Sequence, residues 1–376
     1  MRYFYGIFLF SIVILLSGCV TEFIPETNED QQMLVVEGLI TDQPEAYTIK
    51  LSKSLPLGEP SSAIPLGNCY VTVTDDLGNV YNTQESVFGS YVTNPMLFRG
   101  VVGRKYSLHI TTSGQNGKRL NYESFPVEMK PVPPIDSLYY EKRILKQNGN
   151  YPPDEGAQVF LNTHSADNSC RFYRWEFDET WEIRVPFTVP NSSCWINQNS
   201  SVINVKSTAA ITASKVDRFP LNFISNETDR LKYKYSMQVK QYSLSEDEFA
   251  YWDKLRNISE QVGGLYDITP SSIPSNIMCV ENPGEKILGY FSVSATSSKR
   301  VFIKNNFTGI IDLYSECIAD TIWKPGPIPN LGIFVWVIIV HEMPIPAYRV
   351  TTFEKGCYDC TVRGTNQEPS YWRDDK

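Results

Sequence analysis

Histidine is almost missing from this chain: of 376 residues, only His109, His164 and His341 carry an imidazole. That leaves few neutral-pH bases and few of the commonest metal ligands. His341-Glu342 begins like a zinc-protease helix but continues Met343-Pro344-Ile345. The second histidine is absent, and Pro344 would break the helix that has to carry both ligands on one face. No nucleophile elbow, phosphate-binding Gly-rich loop or dinucleotide fingerprint stands at a strand-helix junction. Basic runs are also lacking. With 34 Lys and Arg against 42 Asp and Glu, the net charge is -8, which argues against nucleic acid or an anionic lipid surface as ligand. Leu331 to Val340 is apolar for ten residues apart from Gly332. It is too short to cross a membrane as a helix and fits a buried strand. These absences lead us to expect no enzyme, no cofactor and no metal.

Aromatic residues, by contrast, make up 13% of the chain, with 22 Tyr, a bias toward strands and large β cores. The N-terminus has one early cation, Arg2, then an apolar run from Phe4 to Leu16 followed at once by small residues. This is the layout of a secretory signal over residues 1–18. Leu16-Ser17-Gly18-Cys19 resembles the lipobox of bacterial lipoproteins. The resemblance implies that Cys19 receives a diacylglyceryl group and becomes the acylated N-terminus. Each buried CH₂ of such chains contributes about 0.8 kcal/mol, and stable anchoring takes more than one chain. Residues 19–32 then read as the lipidated cysteine and a polar, acidic tether. Its acids also resemble surface-export signals, with Glu22 alone in the first few positions, and both readings stay open.

From Met33 the pattern is that of strands. Tyr47 to Ser52 alternates with period two, and Tyr70 to Thr74 leads through Asp75-Asp76-Leu77-Gly78-Asn79 into Val80-Tyr81. The two aspartates lack EF-hand spacing and read as a hairpin turn. With Tyr106, Leu108 and Ile110 on one face of a further strand, residues 33–130 describe an immunoglobulin-like or transthyretin-like β-sandwich. Pro126, Pro131, Pro133 and Pro134 then mark a boundary. Residues 131–376 read as a larger β-rich domain. Within it Tyr233, Tyr235, Met237 and Val239 alternate with polar residues. One amphipathic helix is expected near 245–262. Ser245 and Glu248 form its capping box, Tyr251, Leu255, Ile258 and Val262 its apolar stripe, and Gly263-Gly264 its stop. The fold class is therefore mainly β, with that helix packed on a sheet.

Eight cysteines are present. Assigning Cys19 to lipid leaves an odd number, so at least one thiol stays free or pairs between chains. Export favours disulfides. Cys170 and Cys194 flank an aromatic-rich segment and are the pair expected on that ground. Cys357-x-x-Cys360 reads as structural, because a redox pair would open a helix in a βαβ setting and a second zinc-binding pair is lacking.

The chain also resembles a family. Leu34-Val35-Val36-Glu37-Gly38-Leu39-Ile40-Thr41-Asp42, Val239-Lys240-Gln241-Tyr242-Ser243-Leu244-Ser245, Gly263-Gly264-Leu265-Tyr266-Asp267 and Ile273-Pro274-Ser275-Asn276-Ile277 carry the match. So do Leu288-Gly289-Tyr290-Phe291 and Cys360-Thr361-Val362-Arg363-Gly364-Thr365-Asn366. They resemble the Bacteroidota outer-membrane lipoproteins grouped as domain of unknown function 4249. The resemblance implies an outer-membrane lipid anchor, on the surface or the periplasmic side. It also implies a TonB-dependent barrel as partner, with an unidentified nutrient as ligand, and it supplies no catalytic residues. A structural surface module without a small ligand and an exported hydrolase using paired carboxylates are the alternative expectations.

Overall fold

Branched and aromatic residues at every second position build two β cores. A computed structural model describes residues 32–54, 63–113, 119–145, 154–187, 189–260, 273–304, 306–317, 319–323, 334–340, 347–352 and 354–373. In the first sheet Val36, Ile49, Leu51, Val71, Val73, Leu108 and Ile110 point inward and are fully buried. Apart from the buried Thr72, their strand neighbours of opposite parity are more exposed, as the period of two requires. Eleven strands make this sheet. Its main path runs from Ile277–Cys279 through Arg119–Ser124, Lys105–Ser113, Tyr70–Asp75, Val80–Val87, Ser90–Thr93, Thr48–Lys53 and Leu34–Ile40 to Ile287–Val293. The two ends of the path meet. The Asn276 side chain donates to Phe291 O at 2.8 Å and accepts from Phe291 N at 2.9 Å. The sandwich is thereby drawn into a near-barrel.

The sequence reading assigned residues 131–376 to a second domain, and here the structure differs. Residues 277–293 return to the first sheet, where Ile287–Val293 pairs in parallel with Leu34–Ile40. Ile277, Cys279, Ile287 and Phe291 are buried in the first core, so burial of their apolar side chains draws the segment back. Gly289 adopts φ +86°, and a Cβ there would strike the Val36 carbonyl. Only glycine permits that approach without strain.

The second core lies between two sheets. One holds Ser193–Asn199, Phe172–Arg184, Lys234–Ser243 and Thr296–Lys304, with Asn204–Ser207 beside them; the other holds Ile135–Leu145, Asp154–Ser165 and Ser214–Ser225. Tyr173, Trp175, Tyr235, Met237 and Val239 are fully buried between them. Two polar side chains inside, Gln241 and Glu179, are well satisfied. Gln241 accepts from Trp175 Nε1 at 2.8 Å and donates to Pro133 O at 2.7 Å. Glu179 accepts from Tyr235 Oη at 2.6 Å, Asn222 Nδ2 at 2.9 Å and Arg230 Nη1 at 2.9 Å. A buried polar group without such partners would cost about 1–3 kcal/mol. A small fourth sheet joins Ala319–Trp323, Ala347–Thr352 and Phe334–Val340. The apolar stretch 331–340 thus contains a strand, while the burial of its side chains lies outside the described residues.

Two disulfides tie the C-terminal segment down, Cys194–Cys360 and Cys317–Cys357. The expected Cys170–Cys194 pair does not form, and Cys170 is a buried thiol. The reason is register. Cys194 lies opposite Ile183, whereas Cys170 sits just before Phe172 at the far end of that same strand. Eleven residues of strand separate the two sites by about 35 Å, against the roughly 7 Å limit between Cα atoms of a disulfide. The C-terminal segment lies beside Cys194 instead, with Trp195 and Thr365 exchanging backbone hydrogen bonds of 2.8 and 3.0 Å.

Candidate functional site

The helix Glu246–Glu260 is the only α-helix among the described residues, and it crosses the seam between the two cores. Ser245 starts it, its Oγ accepting from Glu248 N at 3.1 Å, which satisfies an otherwise unpaired donor. The stripe Tyr251, Leu255 and Ile258 is only half-buried; the fully buried residue of the helix is Glu248. Val262 and Gly263-Gly264 lie outside the described residues. The carboxyl of Glu248 turns inward, where Oε1 accepts from Trp252 Nε1 at 3.4 Å. Its Oε2 has no hydrogen-bond partner among the described residues. Burial raises its pKa to about 7, opposed by Ser292, Arg174 and Trp252. Glu179, with three partners, shows how a buried glutamate is ordinarily accommodated here.

Beneath the helix lies Arg174, on the strand Phe172–Arg184. Its guanidinium is 3.8 Å from the ring centre of Trp252 and 5.2 Å from that of Tyr242. It forms an ion pair with Glu176, whose other oxygen accepts from Tyr242 Oη at 2.9 Å. Burial lowers the Arg174 pKa, and Tyr242, Glu248 and Tyr251 oppose that shift. Stacking a cation on an electron-rich ring is worth about 2 kcal/mol or more when water is excluded. Arg174 therefore pins the helix to the second sheet.

Two clefts flank the helix. One, of about 270 Å³, has Glu37 and Lys50 of the first sheet on one wall and Arg174 and Glu176 of the second on the other, with Tyr251 and Trp252 contributed by the helix. The other, of about 390 Å³, lies between the Phe125–Lys130 turn, the helix residues Asp247 and Lys254, and the Pro274–Asn276 turn. Tyr251 and Tyr290 line both. Their ring centres are 4.8 Å apart, so this pair forms a ridge between the clefts. Burial, with the charge of Glu248 second, raises the Tyr290 pKa, and it stays a neutral hydroxyl.

The residues singled out by sequence fall elsewhere. Cys19 lies outside the described residues, as does His341. His109 Nε2 lies 2.8 Å from Thr74 Oγ1, and His164 Nδ1 lies 2.7 Å from Asp136. Asp75 organises its hairpin by accepting from Leu77 N, Asn79 N and Asn79 Nδ2 at 2.8 to 3.0 Å, and it pairs with Arg104 at 2.8 Å. Cys357 and Cys360 belong to different disulfides. Among the described residues no three His, Cys, Asp or Glu side chains converge as a metal site. No helix there is long and apolar enough to cross a membrane. Sequence reasoning missed Arg174, Glu176 and Tyr290. A charged residue inside the aromatic run Phe172–Phe177 was the available signal for the first two.

The chain is mainly β, and its mixed polar and aromatic clefts open at the seam of two cores. The chain is a member of the family described as Domain of unknown function (DUF4249), whose model matches residues 20–300. No curated relative matches it. Both clefts are built within the matched region.

Proposed function

We propose that this chain is an exported lipoprotein, anchored through acylated Cys19 in the outer membrane of a Bacteroidota cell, that captures a ligand for a TonB-dependent barrel. The observation that carries the ligand-capture reading is the pair of clefts meeting at Tyr251 and Tyr290. Their walls combine apolar ring faces with a few fixed polar groups, the composition that ligand sites share. Arg174 is already buried and held by Glu176, so its ordering precedes binding. Two disulfides support an oxidising compartment. The lipobox resemblance supports the anchor, and the family resemblance supports the barrel.

The test uses metabolic labelling with a fatty-acid analogue in wild type and Cys19→Ala, followed by membrane fractionation and mild-detergent purification. Label in the wild type but not in the variant, with a barrel recovered alongside, is the expected result. An unlabelled wild type removes the anchor. Recovery of the protein alone at every stoichiometry removes the partnership.

A further inference from the structure

We infer that the two clefts bind one uncharged oligosaccharide laid across the Tyr251–Tyr290 ridge; this rests on the ligand-capture reading above. Charge balance is the first argument. In the smaller cleft Glu37 and Glu176 are matched by Lys50 and Arg174, and in the larger Glu128 and Asp247 are matched by Lys130 and Lys254. Glu37 lies directly opposite Lys50 across the strand pair, and Arg174 is paired with Glu176. An anion or a cation entering either cleft meets no excess of the opposite charge, so neither is favoured.

Surface chemistry is the second. Paired carboxylate and cation present an acceptor and a donor side by side. Thr48 and Ser292 add hydroxyls in one cleft, and Ser275 adds one in the other. That inventory suits vicinal hydroxyls, each of which both donates and accepts. A sugar ring also has an apolar C–H face, which packs on the electron-rich face of an aromatic ring. The half-buried Tyr251 supplies such a face where the clefts meet, with the buried Tyr290 ring packed against it. A purely apolar ligand would leave these polar walls unpaired.

Backbone geometry is the third, and it disfavours an extended peptide. Peptide capture by strand addition needs an open sheet edge. Leu34–Ile40 is paired on both sides, with Thr48–Lys53 and with Ile287–Val293. Thr48–Lys53 is also paired with Ser90–Thr93, and the outer side of Phe291 is taken by Asn276. Size agrees with a chain rather than a single ring. Each cleft is near the lower bound of ligand pockets, about 300 Å³, and the two joined fall well inside their range.

The test is titration calorimetry on the full-length chain in lipid nanodiscs. Probes are the neutral trisaccharides xylotriose, maltotriose, mannotriose and laminaritriose, the anionic trigalacturonate, and the tripeptide Ala-Tyr-Ala. At least one neutral trisaccharide should bind. Tyr251→Ala should weaken it about tenfold, and Tyr251→Phe, which keeps the ring, should retain it. If Tyr251→Ala fails to fold, Lys50→Ala on the exposed rim should weaken binding about threefold. Binding of trigalacturonate or the tripeptide with no neutral trisaccharide bound overturns the inference. So does no binding by any probe, or neutral binding that both Tyr251→Ala and Lys50→Ala leave unchanged. A barrel that still co-purifies in those cases shows that the sugar assignment has failed while the partnership stands.

Discussion

Glu248→Gln should make this protein more stable at pH 8 than at pH 4.5, relative to wild type. The Glu248 carboxyl is fully buried beneath the helix, and burial raises its pKa from 4.5 to about 7. Each tenfold change in proton affinity is about 1.4 kcal/mol, so that rise corresponds to about 3 kcal/mol. Below pH 4.5 the group is protonated folded and unfolded, and it costs nothing. Between 4.5 and 7 the unfolded chain releases the proton while the folded chain keeps it, so stability falls as pH rises. Above 7 the buried charge costs the full amount. Glutamine is neutral throughout. Its amide nitrogen replaces a partnerless oxygen, and any cost of burying it is the same at every pH. The assay is urea unfolding followed by tryptophan fluorescence, both chains at pH 4.5, 6 and 8. The free-energy difference between them should move by about 3 kcal/mol in favour of glutamine from the lowest pH to the highest. Taking that difference cancels every other titrating group. A difference that stays flat across the series refutes the reasoning, because Glu248 would then be as solvated folded as unfolded.

Cys194→Ser opens a crosslink whose ends are 166 residues apart. The chain-entropy model puts the loss near 5 kcal/mol, which differential scanning calorimetry of both chains will register as a lower Tm. Asn276→Ala leaves Phe291 N and O without the partners that join the two ends of the first sheet. Two buried backbone groups make that about 2–4 kcal/mol, readable by urea unfolding, with faster amide exchange along Ile287–Val293.

Much of the fold was legible because its signals are local. Lys234–Ser243 is a strand because one parity of its residues is largely apolar, and Ser245 starts the helix because its hydroxyl reaches the Glu248 amide three residues on. Fold class and the helix follow from such short-range rules. What was not legible depends on contacts distant in sequence. Residues 277–293 have the composition of any buried strand, and nothing local says which core receives them. Cysteine pairing failed in the same way. Proximity in sequence made Cys170 a candidate for Cys194, but the long strand Phe172–Arg184 carries the two positions apart, and Cys360 arrives from the far end of the chain.

The clefts were illegible for a sharper reason: their polar residues sit where local rules assign them other duties. Glu248 at the third helical position reads as the second half of a capping box, a solvent-side role. That role holds only while the first helical turn faces water. Here the turn is pressed between Tyr290, Ser292 and Arg174, so the carboxyl goes inward and the stripe meant for burial, Tyr251 with Leu255 and Ile258, is left half-exposed. Arg174, between Tyr173 and Trp175, reads as the outward residue of a one-sided strand. It does point away from the core that its neighbours fill, but the helix covers that outer face. One packing event therefore reverses both readings. A helix docked by a cation on Trp252, by a buried carboxyl and by Phe249 packed on Phe172 leaves Tyr251 at the place where the two clefts meet.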